Sequence, residues 1–133
     1  GNSGARLAAV RAMAIHYRDG SPGFVQSSML ASMWMRYAAQ ENDGKSMLLL
    51  AIDLFMEKKY AGAWAWADIA GKSDSSGEET KRLAGRLMDM IEVQAGKDIE
   101  KQGAFLRTEY LKAVKERLEW RLKQPGEAPG VNP

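Results

Sequence analysis

The chain has 133 residues and no cysteine, with 19 Lys+Arg against 17 Asp+Glu, which excludes a disulfide scaffold and a thiolate metal site. A net charge of +2, spread along the chain rather than gathered in a basic block, argues against nucleic acid as a partner. With 45% hydrophobic residues the chain can bury a core of its own, and its longest uncharged stretch, residues 20–35, is too short and too interrupted by Pro22 and glycines to cross a bilayer.

β-Branched residues are few and no useful stretch alternates, whereas apolar residues recur at intervals of three and four, so the predicted class is all-α. The first helix is expected over 5–19, with Leu7, Val10, Met13, Ala14 and Tyr17 on one stripe and Gly20-Ser21-Pro22-Gly23 ending it. A second runs from Ser27 or Ser28 to Glu41, with a serine as N-cap, Met29, Met33 and Trp34 at helical spacing, and Asn42-Asp43-Gly44 as the stop. A third spans 45–58 and a fourth 61–70, followed by a polar loop over 73–77. The fifth, 78–94, opens with Glu78 and Glu79, which suit the positive end of the helix dipole, and carries Leu83, Leu87, Met90 and Ile91. The sixth, about 98–123, places Leu106, Tyr110, Val114, Leu118 and Leu122 on one face and the pairs Lys112/Glu116, Lys115/Glu119 and Glu119/Lys123 outside. The tail from Pro125 to Pro133 is predicted irregular, and Gly1 in place of an initiator Met is compatible with an upstream signal peptide or anchor.

The chain also matches itself. Met13-Ala14-Ile15-His16-Tyr17 aligns with Leu50-Ala51-Ile52-Asp53-Leu54 at an offset of 37, and Trp34-x-x-x-Ala38 with Trp66-x-x-x-Ala70 at an offset of 32. The difference of five is absorbed by the shorter connection at Glu57-Lys58-Lys59-Tyr60. In the first unit, Met13, Ala14, Tyr17 and Gly20, then Ala31, Trp34, Ala38 and Ala39, resemble the Sel-like (sel-one) repeats, relatives of the tetratricopeptide repeats. The second unit keeps Leu50, Ala51, Ala63, Trp66 and Ala70 but has Leu54 in place of the tyrosine and lacks the glycine-rich loop. The resemblance covers about residues 1–90. It implies a short right-handed α-solenoid of helix pairs, about 1–44 and 45–77, with C-terminal capping helices over about 78–124 in one domain. It also implies bacterial adaptor or scaffold work, including immunity proteins that neutralise secreted toxins, with Trp34 and Trp66 as equivalent packing residues.

One histidine, no cysteine and no glycine-rich phosphate loop point away from an enzyme, and no metal or cofactor is expected. The nearest approach to a catalytic unit is His16 with Asp53, which occupy equivalent repeat positions and so are expected to stand side by side, without a placed nucleophile. Met33-x-Met35 and Met88-x-Met90 superficially suit a soft metal, yet residues two apart on a helix face different ways, so they read as pliable core. The third helix is apolar nearly all round and must be covered on more than one side. With Leu50 and Leu54 facing the core, Leu48, Ile52 and Phe55 point the opposite way, as do Arg11, Ile15 and Arg18 from the first helix, a face that the resemblance assigns to the concave groove. Either the C-terminal helix folds back over this groove or a partner covers it. Those six residues are the expected partner-binding site, for a protein or peptide in an adaptor or for a second copy of the chain in an oligomerising structural subunit, with no membrane insertion.

Overall fold

The computed structural model describes residues 2–124. It contains six helices, α1 (Asn2–Asp19), α2 (Ser28–Gln40), α3 (Gly44–Met56), α4 (Tyr60–Lys72), α5 (Glu78–Ala95) and α6 (Ile99–Leu122), and no strand among the described residues. The all-α expectation holds, while the expected irregular tail lies outside the described residues.

Local chemistry sets most boundaries. Ser27 caps α2 in extended backbone, its hydroxyl accepting from the Leu30 amide at 3.1 Å, as the sequence suggests. The stop after α2 is also the start of α3, because Asn42 takes the left-handed turn at φ 64 and Asp43 becomes the N-cap of α3, accepting from the Ser46 amide at 3.2 Å. Gly44, expected to break the chain, is therefore the first residue of α3. A Cβ there would stand 1.9 Å from the Ser76 hydroxyl, so only glycine lets the 73–76 loop close over this helix end. The Gly44 amide donates to Ser75 Oγ at 2.9 Å, and the Ser76 hydroxyl donates to the Ala70 carbonyl.

Helices α1 to α5 pack each on the next in chain order. The alanines aligned by the repeat, Ala14 with Ala51 and Ala38 with Ala70, are all fully buried, where the absence of a long side chain permits close helix approach. Helix α4 is the centre of the molecule, since every residue from Gly62 to Ala70 is buried between α3, α5 and α6. The two tryptophans differ: Trp66 is 2% exposed, whereas Trp34 is half-buried at the edge of the core.

Helix α6 does not pair with its neighbour α5. It lies along α4 and reaches the C-terminal end of α2. Gly103 makes this approach possible, because a Cβ there would stand 2.4 Å from the Trp64 ring. Tyr110 stacks on Trp66 with centroids 4.6 Å apart, and Val114 is buried beyond it. Leu118 and Leu122, expected to face inward, are exposed, because the last turns dock through Arg117 and Arg121 instead.

Candidate functional site

The six residues expected to form a groove do not form one open surface. On α1, Arg11, Ile15 and Arg18 recur at i, i+4 and i+7, which puts them on one face directed toward α3. Both arginines are engaged there: Arg11 donates to the Asp43 carboxylate at 2.5 Å and Arg18 to Asp53 at 3.0 Å, fastening α1 to the two ends of α3. Asp43 is thus shared between the α3 N-cap and this pair. Leu48 is 5% exposed and part of the core cluster, unavailable to a partner. Ile15, Ile52 and Phe55 remain half-buried, and Phe55 leans on Tyr60 with ring centroids 5.8 Å apart.

The expected His16 and Asp53 pair is not formed. Asp53 is bound by Arg18, while His16 Nδ1 meets the Ser21 hydroxyl at 3.0 Å and its ring stacks on Phe24 at 4.9 Å. Equivalent repeat positions left the two side chains at different neighbours, since the longer first connection wraps back over His16. Burial pushes the Asp53 carboxyl above its ordinary range, and Arg18 only partly offsets this, so its charged form opposes folding near neutrality. The methionines expected as pliable core divide instead: Met35 is buried, whereas Met33 and Met90 are 60% and 52% exposed. Among the described residues no three His, Cys, Asp or Glu side chains gather as a metal site, and no helix is long and apolar enough to cross a membrane.

Two surfaces remain open. The first extends the expected face onto α5. Phe55 there borders a shallow apolar cleft with Met90, Val93, Asp89 and Gln94, and Met90 and Val93 are 52% and 82% exposed. Helix α5 is apolar on two sides: Ala84, Leu87 and Ile91 enter the core, while Leu83, Met90 and Val93 recur at i, i+7 and i+10 on the other side. The sequence places Leu83 and Met90 with Leu87 and Ile91 as one apolar set, whereas in the fold only Leu87 and Ile91 are buried. C-terminal α6 covers none of the outer stripe, because it lies across α4 and α2.

The second surface is a groove of two adjoining recesses beside the α3–α4 turn, one against α2 and one against α6, which share Arg36, Leu54 and Lys59. At its α2 end stands a carboxylate cluster. Glu41, its side chain only 4% exposed, accepts from Arg117 at 2.9 Å and from both Arg121 nitrogens, with Arg6 at 3.7 Å. Burial raises the Glu41 pKa, yet the hydrogen bonds from Arg121 and Arg117 outweigh it and hold the carboxyl below its ordinary range. Arg117 also lies over the rings of Tyr37 and Trp120 at 5.3 and 5.0 Å, which fixes the end of α6 to α2. No family model, curated protein or solved structure matches the chain.

Proposed function

We propose that the chain is a non-enzymatic protein-protein interaction module, a short α-solenoid of two Sel-like helix pairs with C-terminal helices, working as an adaptor. A bacterial immunity protein that neutralises a secreted toxin is the specific form of this reading. The observation that carries it is the apolar face of α3 and α5 around Phe55, Met90 and Val93, left open because α6 lies on the other side of the core. A contiguous apolar patch with a half-buried aromatic at its centre is the composition that interfaces favour. The buried repeat alanines and the packing of α1 to α5 in chain order support the solenoid part of the reading.

The test uses a photo-crosslinking residue at Val93 in the native host, with Lys112 on the exposed side of α6 as control. A partner captured at Val93 and lost in the folded Phe55→Asp and Met90→Asp variants supports the reading. Its identity as a toxin or as another protein separates immunity protein from general adaptor. Capture that survives both substitutions removes this face as the site. The same exposed stripe suits self-association, the alternative of an oligomerising subunit, for which sedimentation would show a mass rising with concentration that Val93→Asp abolishes.

A further inference from the structure

The α2/α6 groove carries a different chemistry from the α3/α5 face. Met29, Met33, Arg36 and Gln40 recur at i, i+4, i+7 and i+11, so one stripe of α2 forms its wall. Met29 and Met33 are 71% and 60% exposed, and nothing among the described residues covers them. The cavity beside them continues past Arg36, Leu54 and Lys59 to Tyr60, Leu106 and Tyr110.

Charge identifies what fits. Three cations line the recess, Arg36, Lys58 and Lys59, against one carboxylate, Glu57. Glu57 is 3.5 Å from Lys59, while Arg36 and Lys58 have no ion pair among the described residues. By contrast Arg11, Arg18, Arg107, Arg117 and Arg121 each have a carboxylate of the fold as ion-pair partner, Arg117 and Arg121 sharing Glu41. The cations line the edge of a recess, a shape that a chain segment enters and a flat bilayer surface does not. Methionine supplies an adaptable apolar wall, and unpaired cations beside it supply selection by charge.

We propose that this groove is a second docking site, which takes an acidic peptide segment of a partner protein, its apolar side chains against Met29 and Met33 and its carboxylates on Arg36 and Lys58. The site is independent of the Phe55 face, so one chain can hold two partners at once.

The test is a selection of random twelve-residue peptides displayed on phage against the whole chain. Methyl-labelled methionine then provides the map by nuclear magnetic resonance, since the eight methionines report from distinct places. Selected peptides should be rich in Asp and Glu interleaved with apolar residues, and a synthetic one should shift the Met29 and Met33 methyl signals while leaving Met90 in place. Its affinity should fall at least tenfold in the Arg36→Glu/Lys58→Glu variant, whose changes lie on exposed side chains and leave the fold intact. Phe55→Asp should not alter it, which keeps this site separable from the α3/α5 face. The proposal is overturned if the selected peptides lack acidic residues, if they shift Met90 rather than Met29 and Met33, or if the charge-reversed variant binds equally well. It is also overturned if vesicles of phosphatidylglycerol shift Met29 and Met33 and no selected peptide does, since the groove would then be a membrane contact.

Discussion

Individual side chains in this molecule are worth what their burial makes them, even where sequence positions look alike. Trp34 and Trp66 align in the repeat, yet Trp66 of α4 is buried with Tyr110 of α6 stacked on its ring, whereas Trp34 keeps part of its surface in water. Trp66→Ala should therefore cost about 3–5 kcal/mol, since it leaves a cavity and strands the Tyr110 ring. Trp34→Ala should cost about 1–2 kcal/mol, in proportion to the smaller apolar area it removes from water. Urea unfolding of the two variants measures the difference, and equal losses would mean that the repeat sets packing more tightly than burial indicates. His16 teaches the same lesson: its stacking on Phe24 and its contact with Ser21 give it a structural role in closing the α1–α2 connection.

At the scale of helices, α6 is held by an apolar half and an ionic half. Its first half packs through Ile99, Gly103 and Tyr110, and its last turns are held by Arg117 and Arg121 on Glu41. Because Glu41 is depressed below its ordinary 4.5, its contribution is fully present above that value and is lost as pH falls through the lower folded pKa. Glu41→Gln should remove about 2–3 kcal/mol at pH 7, the range for breaking a buried pair discounted for the partial exposure of the arginines. It should also flatten the acid limb of stability below about pH 4.5. Asp53 has the opposite sign: its contribution is present below the ordinary 3.8 and is lost as pH rises through the raised folded pKa. Asp53→Asn should thus leave stability at pH 7 unchanged or slightly higher. Thermal melts from pH 2.5 to 7 separate the two variants, and an acid limb unchanged in Glu41→Gln would remove Glu41 from the latch.

For the whole molecule, a run of helix pairs alone would be stabilised only by neighbouring contacts and could open from one end. Helix α6 changes that, because it touches α4 in the second pair and α2 in the first. The chain should accordingly unfold in one transition. Hydrogen exchange should show amides of α1, α2 and α4 opening together in the wild type, while in Glu41→Ala the α1–α2 pair should exchange faster than α4. Faster exchange in α1 and α2 already in the wild type would show that α6 does not couple the two pairs. The same placement of α6 decides which surfaces are free for partners, since a helix spent on α4 and α2 leaves the α3/α5 face uncovered.

The sequence by itself determined the helical class and six helices close to their observed limits, because periodicity and capping act within a few residues. Ser27 caps α2 by its own hydroxyl, and the aligned alanines are small wherever they are placed. It also carried the apolar character of α3, and Phe55 as a side chain facing away from Leu50 and Leu54. Which helix covers which face was decided only in the tertiary structure. The apolar pattern of α6 ran on to Leu122, yet its end docks by guanidinium groups that reach a carboxylate 76 and 80 residues away. Nothing local to either residue encodes that pairing, nor the choice of Arg18 over His16 by Asp53 or the burial of Leu48 in the core. Periodicity states that a face must be buried; the neighbour that buries it is selected by competition among all the faces of the folded chain.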